Sequence, residues 1–190
     1  RKIIEIAAGA SYFAETGHDI QPGGEVAAGA ADAIFLGAIG LPEIRHEDGT
    51  EISPHLRLRD RYQLYAGVRP VKAYPNAPMP LANPRASEID LVIIRELVGG
   101  LYFGSKETGV NDQGRRYVHE MLEYDEDQIR QVLEVAFKLA MKRKKSLTNV
   151  HKSNVLKSSV LWNEVLDEVH SDYPEVSVDH ILVDAAATYL

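Results

Sequence analysis

The sequence predicts an α/β protein, and three observations carry that prediction. Short apolar runs alternate along the chain with stretches of helical periodicity. The run Ala31-Asp32-Ala33-Ile34-Phe35-Leu36-Gly37-Ala38-Ile39-Gly40 ends in glycine before Leu41-Pro42, the pattern of a buried strand that opens into a loop. From about Glu126 to Lys144, Ile129, Val132, Leu133, Ala136, Phe137 and Ala140 recur on one face at helical spacing.

The remaining elements follow in order. Residues 43–56 are polar and turn-rich, with Asp48-Gly49 marking a tight turn. A helix is expected from about Pro54 to Tyr65, with Leu56, Leu58 and Leu64 inward. Pro70, Pro75, Pro78, Pro80 and Pro84 are too dense for a helix; residues 70–88 are the best candidate for a crossover between domains. Ile89 to Ile94 reads as a second buried strand and Leu101-Tyr102-Phe103 as a third, after Gly99-Gly100. Residues 105–116 are polar and glycine-containing, a loop or an exposed hairpin arm.

Asp125 is placed to cap the long helix, with Gln128 positioned for a capping box. Lys142-Arg143-Lys144-Lys145 close that helix, where cations favour the negative end of its dipole. A basic tetrad also suits nucleic acid. Here no aromatics interleave it and the whole chain is acidic, so the helix-end reading is preferred and no nucleic-acid partner is expected. Ser146 to Val150 then reads as a strand, and Ser158 to Ser171 as a helix with Leu161, Val165, Leu166 and Val169 inward. Tyr173-Pro174 stops it, and Val176 to Val183 is a further strand.

The bulk properties narrow the function. The chain has 190 residues, enough for one ordinary domain or parts of two. Its 45% hydrophobic and 26% charged residues argue against disorder. Lys and Arg total 21 against 28 Asp and Glu, a formal charge of −7. That balance offers no general attraction for nucleic acid or an anionic membrane, so an anionic substrate needs a local cluster of cations. With no cysteine, disulfides, thiolate zinc sites and cysteine nucleophiles are excluded, and the reducing cytoplasm is the default compartment. No apolar run approaches the roughly 20 residues that span a bilayer. Arg1 to Ile6 lacks the apolar core and cleavage pattern of a secretory signal. The chain opens without Met in what reads as the middle of a structured region, so it is expected to be a fragment or to have further residues.

Several side chains could carry chemistry. Arg59, Arg69 and Arg95 suit bidentate recognition of carboxylates, because the planar guanidinium matches two oxygens. Arg59 and Arg69 leave or follow a helix; Arg95 ends an apolar strand, a position that often lines α/β sites. Taken singly, each reads first as a surface or salt-bridged residue, and spacing alone does not make them converge. Tyr102, two residues after Gly-Gly, could be a strand tyrosine packed on the core. Lys152 follows Val150-His151 at a strand end; such a lysine is commonly solvated, though partial burial can tune it for catalysis. Asp184 ends Ile181-Leu182-Val183, where a carboxylate could ligate Mg²⁺ or Mn²⁺, but one carboxylate is not a metal site.

Taken in order, Leu36-Gly37-Ala38-Ile39-Gly40, Leu58-Arg59 with Leu64-Tyr65-Ala66-Gly67-Val68-Arg69-Pro70, Arg95-Glu96-Leu97-Val98-Gly99-Gly100-Leu101-Tyr102-Phe103-Gly104, His151-Lys152-Ser153-Asn154-Val155-Leu156 and Val183-Asp184 resemble the isocitrate/isopropylmalate dehydrogenase family. The resemblance runs over essentially the whole chain, and the Arg-Glu-Leu-x-Gly-Gly-x-Tyr-Phe-Gly stretch is its most specific part. It implies a two-domain α/β fold that is not a Rossmann fold, here incomplete at both ends. Residues 1–66 would belong to the large domain and 67–190 to the small substrate-binding, dimer-forming domain, with 105–116 in an arm that clasps a partner.

The resemblance also implies a chemistry. The family oxidises and decarboxylates malate-type 2-hydroxy acids with NAD or NADP and with Mg²⁺ or Mn²⁺, in homodimers with shared active sites. Arg59, Arg69 and Arg95 fall where the substrate's carboxylates and hydroxyl are bound. Tyr102 falls at the general acid that protonates the enol left after carbon dioxide departs. Lys152 falls at the lysine that assists removal of the hydroxyl proton and reaches the site from the neighbouring subunit. Asn154 falls near the nicotinamide and Asp184 at one of the metal aspartates. The opening strand, the further metal aspartates and the nucleotide-binding loop are absent, so these 190 residues alone are expected to be inactive.

Substrate choice rests on Ser53-Pro54-His55-Leu56-Arg57-Leu58. Isopropylmalate enzymes carry adjacent leucines there, whereas His55 and Arg57 are polar; Ser53 and His151-Lys152 resemble the isocitrate and homoisocitrate branch. A polar substituent or none is expected, as in tartrate, malate or homoisocitrate, with a true 3-isopropylmalate dehydrogenase as the runner-up. His55 could also be a helix-surface histidine without a role. From a different class, the chain could be a noncatalytic dimerisation fragment or regulatory subunit, against which stand six intact site residues: Arg59, Arg69, Arg95, Tyr102, Lys152 and Asp184.

Overall fold

In a computed structural model that describes residues 2–189, the chain divides into two compact units between Leu64 and Tyr65. The division therefore falls before the proline-rich stretch 70–88 that had been the candidate crossover. Pro70 instead lies inside a strand, and Pro84 opens a short 3₁₀ turn, Pro84–Glu88.

The first unit holds three short helices, α1 (Ala10–Thr16), α2 (Gly24–Gly29) and α3 (Pro54–Arg61). Helix α3 has Pro54 in its first turn, where the missing N–H is not needed. It ends at Arg61 rather than Tyr65, with Gln63 in a left-handed conformation just beyond. Leu58 is buried, as expected, whereas Leu64 is exposed and outside the helix. The run Ala31–Gly40 is not a strand: it has no regular secondary structure, and Phe35 is wholly exposed. An apolar run marks a segment suited to burial, but a neighbouring backbone is what makes it a strand. Among the described residues none forms a ladder with it; the Ile39 carbonyl accepts from the Ala10 N–H at 2.8 Å, and the Ala31 N–H donates to the Ala28 carbonyl at 3.2 Å.

The second unit has three two-stranded sheets. Strands β1 (Ala66–Lys72) and β2 (Asp90–Glu96) are antiparallel. Strands β3 (Lys106–Val110) and β4 (Arg116–Glu120) form an exposed hairpin whose turn uses Gly114 and the Asn111 side chain, the hairpin reading of residues 105–116. Helix α4 (Glu126–Met141) carries the full capping box, Asp125 accepting from Gln128 N–H and the Gln128 side chain accepting from Asp125 N–H. Strand β5 (Ser146–His151), helix α5 (Lys157–His170) and strand β6 (Ser177–Leu182) form a parallel β-α-β unit, followed by the short α6 (Val183–Tyr189).

The core lies between α4 and α5. Ile129, Leu133, Phe137 and Ala140 from α4 meet Val165, Leu166 and Val169 from α5, with Leu147 and Val178 of the β5–β6 sheet against them. The helix residues among them are ones that periodicity placed inward. The basic tetrad closes α4, where Arg143 pairs with Asp90 and Lys145 with Glu175. Leu101-Tyr102-Phe103 is not a third strand: Gly100–Tyr102 is a single 3₁₀ turn, because the positive φ of Gly100 (73°) turns the chain out of extension.

Candidate active site

Helix α3 presents two charged faces. Arg57 and Arg61, four residues apart, share one of them. Arg57 grips Asp19 with two bonds of 2.9 and 3.0 Å and also reaches Glu25, and Arg61 holds Glu25 at 2.8 Å. Arg57 is therefore committed to structural ion pairs with α2 and the loop before it, and it does not stand with His55 as the sequence had grouped them. His55 and Arg59 share a different face. His55 is half-buried, and its Nδ1 has no hydrogen-bond partner among the described residues. Burial, with the positive charge of Arg59 second, pulls the His55 imidazole below its ordinary value and keeps it neutral. Ser53 stands at the N-cap of α3, but its hydroxyl makes no capping bond.

In the second unit the β1–β2 register brings two of the predicted arginines together. Gly67 lies opposite Arg95, and Arg69 follows Gly67 by two residues, so Arg69 and Arg95 project from the same face of the ladder. Arg69 is thus in mid-strand rather than after a helix. Both arginines are exposed, available to an anion. The Arg95 guanidinium lies 5.3 Å from the centre of the Tyr102 ring, within cation–π range. Tyr102 is 58% exposed, which overturns the reading of a core-packed tyrosine.

The turn that carries Tyr102 depends on residues the motif does not explain by itself. A Cβ on Gly104 would stand 1.9 Å from the Met121 carbonyl oxygen, so only glycine fits there. The Glu96 carboxylate is buried and accepts from the N–H groups of Val98 and Gly99, both at 2.8 Å. Tyr124 covers the Gly99-Gly100 pair, where a Cβ on either glycine would meet its ring or hydroxyl within 3 Å. Burial, and then the negative charge of Glu96, push the Tyr124 phenol up. Neither Glu96 nor Tyr124 was singled out from sequence. An acid three residues before a glycine pair was the available signal for Glu96, whereas Tyr124 arrives through tertiary packing and has none.

A second cluster forms where β5 and β6 end side by side, His151 being in register with Leu182. The carboxyl ends of adjacent parallel strands are where α/β proteins place their sites. Lys152 Nζ donates to Asp184 Oδ1 at 2.8 Å. That bond holds the Asp184 carboxyl below the usual carboxylate range. The backbone around Lys152 is pinned: its N–H donates to Ser159 Oγ, and its carbonyl accepts from Val155 and Leu156. Asn154 is exposed within this turn. Beneath it, buried Asn149 bonds Asn163 and His180, and His180 meets the edge of His151.

The exposed Asp184 carboxylate is a hard oxygen donor of the type Mg²⁺ or Mn²⁺ takes. Among the described residues no three His, Asp or Glu stand together as a metal cage, so the fit is that of a single ligand. No helix among the described residues is long and apolar enough to cross a membrane.

The α/β architecture brings Arg69, Arg95 and Tyr102 to one place and Lys152 and Asp184 to another, and the chain belongs to the isocitrate/isopropylmalate dehydrogenase family, whose model it matches over residues 2–190. Among its relatives, the 3-isopropylmalate dehydrogenase of Pseudomonas syringae pv. tomato is 42% identical over 171 residues, 85% of this chain and 46% of that protein. That of Oceanobacillus iheyensis is 40% identical over 98% of this chain and 51% of its own length. The crystal structure of isocitrate dehydrogenase from Methylococcus capsulatus superposes with a TM-score of 0.79 at 25% identity, covering 95% of this chain and 51% of that one. The chain thus spans about half the length of the curated relatives it matches.

Proposed function

We propose that the protein to which these residues belong oxidatively decarboxylates a malate-type 2-hydroxy acid. The observation that carries the reading is the shared face of Arg69 and Arg95 with the Tyr102 ring beside Arg95. Two exposed guanidiniums on one face suit a di- or trianionic acid, and an exposed phenol next to them is available as a proton donor. In this reading Arg59, Arg69 and Arg95 hold the substrate in one pose. Lys152 assists removal of the hydroxyl proton, and Tyr102 delivers a proton to the enol carbon after carbon dioxide leaves. Asn154 would contact the nicotinamide and Asp184 would be one ligand of the divalent cation. Bound NAD or NADP supplies the hydride acceptor, and Mg²⁺ or Mn²⁺ the polarisation of the new carbonyl. Lys152 serves the site of a neighbouring subunit in a homodimer, in a reducing cytoplasm suited to a cysteine-free chain.

The substituent on the acid is proposed to be polar or absent, as in tartrate, malate or homoisocitrate. Half-buried His55, with its unpartnered Nδ1, supports this, since a polar group would satisfy that nitrogen. Arg57 no longer supports it, being occupied by Asp19 and Glu25. The names of the relatives favour 3-isopropylmalate as the second reading. A panel of these acids, assayed by NADH or NADPH formation with Mg²⁺ or Mn²⁺, separates the readings. Highest kcat/KM on tartrate, malate or homoisocitrate is expected. Highest kcat/KM on isopropylmalate would replace the polar assignment. Absence of turnover on every acid would leave the noncatalytic dimerisation or regulatory role.

A further inference from the structure

Strand β2 ends in two charged residues with opposite fates: Arg95 is exposed, and Glu96 is only 9% exposed. The ladder fixes Arg95, since Gly67 pairs with Arg95 and Ala66 with Glu96. Tyr102 lies past the end of that ladder, on a 3₁₀ turn, and needs another anchor. The outer amides of the intervening turn go to backbone: Leu97 N–H to Tyr65 O at 2.8 Å and Gly100 N–H to Glu123 O at 2.9 Å. The two amides between them, Val98 and Gly99, both go to the Glu96 carboxylate. A carboxylate is acceptor-only and can take both N–H groups at once, which a neutral amide side chain cannot do without aiming an NH₂ at one of them. Burial of the acid is tolerable because those bonds are made.

We propose that Glu96 is a positioning residue: its carboxylate folds the turn that sets Tyr102 beside Arg95. The kinetic part of this inference rests on the proton-donating role proposed for Tyr102; the geometric part does not. Because Arg95 is held by the sheet and Tyr102 by the turn, loss of the Glu96 bonds moves the tyrosine and leaves the arginine in place. The effect therefore belongs to the chemical step more than to substrate binding.

The test uses the complete protein to which these residues belong, with Glu96→Gln, Tyr102→Phe and the double variant. Glu96→Gln is expected to lower kcat by roughly ten- to a hundredfold, the scale of a small misplacement of a reacting group. KM should stay within about threefold, as ground-state binding is retained. In the Tyr102→Phe background the same change is expected to cost nothing further. Losses that add in the double variant, or a fall expressed in KM alone, would overturn the proposal. Should Glu96→Gln fail to fold by circular dichroism, Glu96→Asp keeps the charge but shortens the reach, and wild-type kcat in it would be equally fatal. A placement readout independent of turnover is the Tyr102 ring resonance, assigned by its disappearance in Tyr102→Phe. It should shift in the Glu96 variant while the Phe137 ring resonances stay put; an unmoved Tyr102 signal sinks the inference. A wild-type protein that turns over no hydroxy acid would instead defeat the functional reading, and the ring resonance would still decide where Glu96 holds Tyr102.

Discussion

His55 shows how one residue links burial, charge and pH. Its ring is half-buried beside Arg59, and both effects favour the neutral imidazole, burial more strongly. The unfolded chain regains the ordinary value of 6.5. Between that value and the lower folded one, the unfolded state binds more protons, so stability falls as pH drops. The contribution is complete above pH 6.5 and is lost as pH falls through the folded value. Thermal melts at steps from pH 8 to 5 should show a decline below 6.5 that is shallower in His55→Gln. Equal slopes in the two proteins would mean that His55 carries no such linkage. Arg57 makes the contrasting point, since a side chain that reads as a candidate ligand in the sequence is bound by Asp19 and Glu25 in the fold.

Elements differ in how far their own residues specify them. Helix α4 is specified locally: an N-cap acid, a reciprocal Gln128, acids in the first turn and an apolar stripe all agree. Asp125→Ala removes the cap bond to Gln128 N–H and is expected to cost about 1 kcal/mol in urea unfolding. An unchanged midpoint would assign the helix start to packing instead. The run Ala31–Gly40 is the opposite case, with the composition of a strand and no strand ladder among the described residues. The stretch after Gly99 was read as a strand from its apolar side chains, but a positive φ at Gly100 and the Glu96 bonds make it a turn. Side-chain character sets which segments seek burial; hydrogen-bond partners decide their backbone shape.

Across the whole chain, stability of the second unit rests on the α4–α5 core. Phe137 is fully buried and stacks against Tyr173 at 5.3 Å and His170 at 5.6 Å. Phe137→Ala is expected to cost about 3–5 kcal/mol, the sum of lost transfer energy and the cavity left behind. Trp162, the single tryptophan, packs against the same core, so its fluorescence in urea reports this unit. A loss below about 1 kcal/mol would mean that the site collapses around the deletion. Of the candidate residues, Ser53, His55 and Arg59 belong to the first unit, and Arg69, Arg95, Tyr102, Lys152, Asn154 and Asp184 to the second.

The sequence by itself determined the α/β class, the capped helix with its inward residues, the β5–α5–β6 order and the family. Each of these follows from spacing along the chain, which periodicity and motif order report directly. Tertiary structure alone decided which charged residues meet. It placed Arg69 and Arg95 on one face through strand register, joined Lys152 to Asp184 where parallel strands end, and turned Arg57 toward Asp19 and Glu25. It also buried Glu96 under the turn that carries Tyr102. The physical reason is that a charged side chain reads the same in sequence whether it is solvated, paired or aimed at a ligand. Its role depends on partners that are distant along the chain and brought near only by packing.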